Sequence, residues 1–264
     1  MTTPPTDDAT RHRLLDGVLL RLAGRPDVDA FVVRGGVLMR HWFRPVPRPA
    51  DDLDLIATFP FDVEETVRRV LPILADDEAD GVAFDVGRAH VERIGLDTGP
   101  AVRFFVAGTA DAEEVDLKID VTFGRTTPPA PVLGELPTAT GTPARVWASR
   151  PEAVVGHKVQ ALCHRGMVGW RAKDLDDLHL LLCRVPMDAT TLRDAVAAHV
   201  ADAGATVADA RGLFGPGSWW GLKVVAARWR DYVNAARRPG VPRDLAAVVA
   251  KVAERLVPIL EGVA

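Results

Sequence analysis

The sequence predicts an α+β chain, with a mixed N-terminal half built on a sheet and an all-helical C-terminal half. Three observations carry this reading. Up to residue 123 the apolar pattern keeps switching between helical spacing and strict alternation. From about residue 150 onward only the helical spacing remains. Between these stretches, residues 126–143 are rich in Pro, Thr and Gly and read as a long surface loop. The expected domains are therefore 1–148 and 149–264.

The elements follow in order. Residues 1–9 are polar and read as a frayed tail. Leu14, Leu15, Val18, Leu19 and Leu22 recur at helical spacing, which predicts a helix over 11–23 ended by Gly24-Arg25-Pro26. Phe31-Val32-Val33 is a short β-prone run. It meets Gly35-Gly36, and a helix through Val37–Phe43 follows until the prolines at 45, 47 and 49 break it. Asp52-Leu53-Asp54-Leu55-Ile56 is a strand. Val63, Val67, Val70, Leu71 and Leu74 predict a helix over 63–75. Strands are expected at 82–86, 90–96 and 101–107.

The clearest strand is 115–123, with Val115, Leu117, Ile119, Val121 and Phe123 on one face. Asp116, Lys118, Asp120 and Thr122 occupy the other. Helices are then expected over 151–165, 174–184, 188–203, 219–236 and 242–261.

Composition narrows the function. The chain has 264 residues and a net charge of −4, which argues against a generally basic nucleic-acid coat while leaving room for a local basic patch. Its two cysteines, Cys163 and Cys183, form no CxxC pair, so neither a disulfide framework nor a structural zinc site is expected. His164 beside Cys163 and His179 near Cys183 fit no zinc spacing. The polar N-terminus does not resemble a signal peptide, and no stretch reaches the roughly 18 apolar residues of a membrane span. A cytoplasmic protein without a membrane partner is expected.

The chemistry concentrates in Asp52 and Asp54. At i and i+2 on a strand both carboxylates project from one face, while Leu53 and Leu55 point into a core. Two neighbouring carboxylates repel unless positive charge lies between them. Mg²⁺ supplies that charge through oxygen ligands from protein and substrate phosphates. Asp120, on the polar face of a second strand, is a candidate third ligand and a candidate proton acceptor if the two strands are neighbours. The plainer alternative is a solvated acidic turn after the proline run. Gly35-Gly36, after a strand and before a helix, allows close approach of an anion. Taken alone the pair is an ordinary tight turn. Sixteen residues separate Gly36 from Asp52, room for one helix and a return to the adjacent strand.

These residues resemble a family. Gly35-Gly36, a helix and then Arg48-Pro49-Ala50-Asp51-Asp52-Leu53-Asp54 are similar to the GG…RxSxDLDL pattern of the AbiEii/AbiGii nucleotidyltransferase toxins, members of the polymerase-β-like superfamily. Lys158-Val159-Gln160-Ala161-Leu162, Arg165 and Lys173-Asp174-Leu175-Asp176-Asp177-Leu178 resemble that family's second motif. The likeness spans about residues 31–184.

It implies a nucleotidyltransferase-like fold, with the helical domain completing the active site. It also implies Mg²⁺ (or Mn²⁺) and an NTP substrate bound by the acidic pair Asp52 and Asp54, to which the strand pattern adds Asp120 as third metal ligand and catalytic group, with Lys158 on the triphosphate and Asp174 helping to complete the site. The nucleotide-binding candidates are Gly35, Gly36, Arg40, Arg48, Lys158 and Lys173. The implied activity is transfer of NMP to a hydroxyl, as the toxin of a toxin–antitoxin pair acting on tRNA. A small-molecule acceptor (an antibiotic or a biosynthetic intermediate) and a non-catalytic nucleotide-binding relative are the alternatives. A cognate antitoxin is an expected partner.

The sequence departs from the pattern at three places: Ala50 replaces the usual serine, His157 precedes the lysine, and Lys173 stands where arginine is commoner. For Lys158 and Asp174 the plain alternative is an interhelical salt bridge.

Residues 210–243 interleave Arg211, Lys223, Arg228, Arg230, Arg237, Arg238 and Arg243 with Trp219, Trp220, Trp229 and Tyr232. This is either a nucleic-acid surface or a buried stripe (Leu222, Val225, Trp229, Tyr232) with a solvated basic face. The tryptophans favour the stripe.

Overall fold

Mixed pairing defines the N-terminal half. In the computed structural model, which describes residues 6–44, 46–76, 81–96, 99–124, 128–236 and 240–262, eight strands form one sheet. They are β1 (Phe31–Arg34), β2 (Asp52–Ala57), β3 (Val82–Phe84), β4 (His90–Leu96), β5 (Gly99–Ala110), β6 (Glu113–Phe123), β7 (Val132–Leu136) and β8 (Ala144–Ala148). The order is β3-β5-β6-β2-β1-β8-β7, with β4 also paired to β5. β2 runs parallel to β6 and antiparallel to β1, and β5 is antiparallel to β6. The chain divides into two compact units, Met1–Thr126 with Pro131–Ser149 and Thr127–Ala130 with Arg150–Ala264.

The first unit owes its core to α1 (Thr6–Ala23). Leu14, Leu15, Leu19 and Leu22 are fully or almost fully buried, as are Leu53, Leu55, Phe104, Leu117, Ile119 and Val121 on the sheet. α1 touches β5, β6 and β8. Each such leucine contributes on the order of 2 kcal/mol by leaving water. The helix begins earlier than the polar composition suggests: residues 6–9 are helical, and only 1–5 lie outside the described residues. Thr10 anchors that first turn by donating to Glu113 Oε2 at 2.7 Å.

The helix α3 (Val63–Ala75) forms where expected, capped by Asp62, whose side chain accepts from the Glu65 N–H. Two expectations need correction. The helix after the glycine pair is a 3₁₀ turn, Gly35–Leu38, followed by the four-residue α2 (Met39–Trp42). The stretch 126–143 contains β7, antiparallel to β8 from Val132↔Ala148 to Leu136↔Ala144. Its Gly134 and its place at the sheet edge, where alternation is weakly enforced, hide it from a reading by composition.

The second unit is helical: α4 (Pro151–Gly169), α5 (Ala172–Arg184), α6 (Ala189–Asp202), α7 (Val207–Leu213), α8 (Lys223–Ala236) and α9 (Leu245–Glu261). α4 breaks at Gly166 (φ 54°), so its regular part ends at residue 165, as the sequence predicts. α7 was not expected. It is a seven-residue helix that starts from a reciprocal capping box of Thr206 and Asp209.

Trp220 and Trp229 are buried, and their indole N–H groups donate to Leu213 O (2.8 Å) and Pro242 O (3.1 Å). These two rings therefore follow the stripe reading. Leu222 does not, being exposed. Arg228 donates to the carbonyls of Val168 and Trp170 at the end of α4, which satisfies groups a helix end leaves bare. Arg237 and Arg238 lie outside the described residues. Among the described residues no helix is long and apolar enough to cross a membrane.

Candidate active site

Sheet register assembles a row of charge. Arg34 pairs with Asp54, Asp54 with Asp120, Asp120 with Arg103, and Arg103 with Glu92, across β1, β2, β6, β5 and β4. Directly paired residues share a face. Two residues back along β2, Asp52 pairs with Lys118, which pairs with Phe105, which pairs with His90. Asp52, Asp54 and Asp120 thus come to one face of two adjacent strands. The alternation that buries Leu53, Leu55, Ile119 and Val121 on the α1 side is what turns them to the opposite face.

The three carboxylates differ in their partners. Asp120 is buried and clamped by Arg103, with Nε to Oδ1 at 2.7 Å and Nη2 to Oδ2 at 2.8 Å. This is a bidentate, charge-assisted pair. Asp52 Oδ2 is 2.6 Å from Lys118 Nζ, which stands 3.9 Å from Asp120 Oδ2. Asp54 accepts no hydrogen bond and enters no ion pair among the described residues.

Asp54's carboxylate is wedged against Gly35: a Cβ at that position would come within 2.1 Å of Oδ2. Gly35 has φ +77°, so glycine is required there twice over, by backbone and by space. Desolvation raises the Asp54 pKa above the usual carboxylate value. The Asp52 and Asp120 charges add to the rise, and Arg34 and Lys118 oppose it. Arg34 carries a buried Nε with no hydrogen-bond partner. In the fold as it stands, the negative charge of Asp54 is under-compensated.

A divalent cation fits this donor set. Hard carboxylate oxygens from Asp52 and Asp54 share a face, and one of them lacks a partner. Among the described residues no group of three or more His, Cys, Asp or Glu side chains is arranged to hold a metal by itself. The expected set of Asp52, Asp54 and Asp120 is therefore not assembled as a three-carboxylate metal site: Asp120, the expected third ligand, has both oxygens taken by Arg103.

The remaining candidates are placed as follows. Arg48's guanidinium lies over Gly36, 3.0 Å from where a Cβ would stand. Arg40 is buried and donates to Asp16 Oδ1 at 2.6 Å, fixing α2 to α1. Asp16 Oδ2 also accepts from the Ala139 N–H at 2.7 Å. Ala50 is buried, and its N–H donates to His12 Nε2 at 3.3 Å. That bond seats the start of the acidic strand on α1.

In the helical unit Lys158 is buried, 3.1 Å from Asp174 Oδ1 and 2.7 Å from Asp177 Oδ2, and Arg165 Nη1 donates to Asp174 Oδ2 at 3.2 Å. The α4–α5 motif is therefore a buried ion-pair cluster. Lys173 is partly buried at the start of α5.

Sequence reading missed Arg103, Arg34 and His12, and took Lys118 only as a polar-face residue. Alternation along β5 could have put Arg103 on the polar face. Its pairing with Asp120 depends on register, which single-strand patterns do not contain.

The sequence profile of the family described as "Nucleotidyl transferase AbiEii toxin, Type IV TA system" matches residues 17–251. No curated protein matches the sequence. Among solved structures, JHP933 from Helicobacter pylori is similar at a TM-score of 0.58 and 14% identity, over 99% of this chain and 95% of that one. A candidate nucleotidyltransferase from H. pylori is similar at 0.55 and 15% identity, over 98% of this chain and 97% of that one. At such identities these two show a shared fold.

Proposed function

The chain belongs to the nucleotidyl transferase AbiEii toxin family of type IV toxin–antitoxin systems, and from that premise we propose that it transfers NMP from an NTP to a hydroxyl acceptor with release of pyrophosphate. The observation that carries the proposal is Asp54: a half-buried carboxylate that enters no hydrogen bond or ion pair among the described residues, beside Asp52 and against a glycine. Such a group is costly unless a cation joins it. Asp52 and Asp54 would hold Mg²⁺ or Mn²⁺, which when bound offsets the charge of the polyphosphate and of the departing pyrophosphate.

The protein's own groups supply the rest. Gly35 and Gly36 leave the backbone open for the polyphosphate, and Arg48 stands over Gly36 to meet a phosphate oxygen. The acceptor hydroxyl oxygen forms a bond to the α-phosphorus as the bond from that phosphorus to the bridging oxygen breaks. The electron pair leaves with pyrophosphate, and the hydroxyl proton passes to Asp120. Arg103 holds Asp120 in one orientation and leaves a lone pair on each oxygen for that proton. The roles that the resemblance gives Lys158 and Asp174 belong to the same proposal, and Lys158→Ala is expected to raise the KM for NTP.

The non-catalytic alternative rests on Ala50. The hydrogen bond from Ala50 N–H to His12 seats the acidic strand without a serine hydroxyl, which favours an active site. The acceptor we propose is the 3′ end of tRNA, with an antitoxin encoded alongside. Incubation with labelled NTPs, total RNA and a pool of small acceptors tests this. A labelled tRNA band that vanishes in Asp54→Ala is expected. Label confined to small acceptors would overturn the tRNA assignment, and no label on any acceptor would overturn the activity.

A further inference from the structure

Beyond the acidic row, the same face of the sheet carries an exposed aromatic pair. Phe105 and His90 are register partners on β5 and β4, with ring centroids 6.2 Å apart and planes 21° from parallel. Phe105 is 38% exposed and is the one aromatic among the exposed large hydrophobic residues described. Its neighbours along β5, Phe104 and Val106, are buried on the α1 side, so burial of Phe105 is not what holds the strand.

Phe105 lies in the row Asp52–Lys118–Phe105, two strands from Asp52. At the ~4.8 Å spacing of neighbouring strands that is roughly 10 Å from the acidic site. The Arg103 guanidinium that clamps Asp120 also lies 5.9 Å from the Phe105 ring centroid. One arginine therefore ties the orientation of the ring to the reacting carboxylate.

An exposed, flat, pre-oriented ring beside a cation suits a planar aromatic ligand. Bases stack on such rings whatever their identity, and the guanidinium adds a favourable electrostatic contact. We infer that Phe105, with the near-parallel His90 ring alongside it at 6.2 Å and the Arg103 guanidinium over its ring at 5.9 Å, forms a stacking platform for a nucleobase that enters the acidic site. The base belongs either to the incoming NTP or to the unpaired end of a nucleic-acid acceptor. The inference rests on the nucleotidyl-transfer reading above. It makes Phe105 a positioning residue outside both sequence motifs.

The test is a set of binding titrations on the full chain carrying Phe105→Leu, which keeps the apolar bulk, and Phe105→Trp, which keeps the stacking face. The probes are a non-hydrolysable NTP analogue with Mg²⁺, inorganic tripolyphosphate with Mg²⁺, and a ten-nucleotide unstructured oligoribonucleotide. Circular dichroism and Tm confirm folding of both variants. Phe105→Leu is expected to weaken the base-bearing probe by about 5- to 100-fold, to leave tripolyphosphate unchanged, and to be rescued by Phe105→Trp.

Weakening of the NTP analogue assigns the platform to the incoming base, and weakening of the oligonucleotide assigns it to the acceptor. Either supports the inference. Wild-type affinity for both base-bearing probes in Phe105→Leu overturns it, provided Asp54→Ala has lost the analogue. Equal weakening of tripolyphosphate overturns it as well, because the effect is then on phosphate. A failure of the underlying reading looks different: the wild-type chain then binds neither analogue nor tripolyphosphate, and the platform falls with it.

Discussion

In the helical unit, Lys158 and Arg165 face Asp174 and Asp177 in a buried cluster where opposite charges meet at 2.7–3.2 Å. On the sheet, Asp52, Asp54 and Asp120 stand side by side, two of them paired with Lys118 and Arg103 and the third in no hydrogen bond or ion pair among the described residues, with Arg34 and Lys118 compensating its charge only from a distance. Both regions take carboxylates out of water. One repays the cost internally, and the other leaves part of it outstanding. A balanced cluster rigidifies the helices that carry it. On the sheet the proposed cation would supply the missing positive charge, and burial against α1 fixes the strands regardless of that charge.

The contrast can be broken by mutation. Asp54→Ala should lower NMP transfer by about 10³-fold or more, because several kcal/mol of cation-mediated stabilisation disappear. The same change should leave the metal-free Tm unchanged or raised, since it removes a repelling charge. Steady-state rates and a thermal melt check both halves. Asp177→Ala should behave in the opposite way. It leaves the buried Lys158 short of a partner and should cost about 3–5 kcal/mol of stability. Chemical denaturation measures that loss.

Acid sharpens the comparison from a third direction. His12 has its pKa lowered to about 4, chiefly by desolvation and next by Arg40, and its Nε2 accepts the Ala50 N–H. The folded state keeps the ring neutral while the unfolded chain protonates near 6.5. Stability is therefore complete above about pH 6.5 and is lost as pH falls toward 4. The cost is about 2–3 kcal/mol, after allowing for the ring's partial exposure. His12→Gln should flatten that part of the stability-versus-pH curve. A smaller effect is expected for Gly35→Ala. It should cost about 1–2 kcal/mol from the left-handed backbone, with a loss of transfer activity because its Cβ would displace Asp54. A melt and a rate at saturating NTP separate the two effects.

Much of this was legible in the sequence, for definite reasons. Strict alternation in 115–123 and 52–56 placed Asp52, Asp54 and Asp120 on polar faces, because a half-buried strand cannot hide its period. The helix 63–75 and the strand 90–96 match α3 and β4 in extent. What the sequence withheld is what depends on neighbours. That β2 lies beside β6 in the register Asp54↔Asp120 is a sheet property, as is the pairing of Arg103 with Asp120. Gly35-Gly36 suggested a helix start, and the chain instead turns tightly against Asp54. The edge strand β7 and the short helix α7 lack the length that makes a period visible.

The central claim is that Asp54 is left unpaired to receive a cation together with nucleotide. Calorimetric titration of Mn²⁺ into the protein with a non-hydrolysable NTP analogue tests it most directly. The wild-type chain should bind metal and nucleotide together, and Asp54→Asn, which keeps the shape and loses the charge, should lose most of that binding while melting no lower than wild type without metal. Equal Mn²⁺ affinity in the two proteins would contradict the claim.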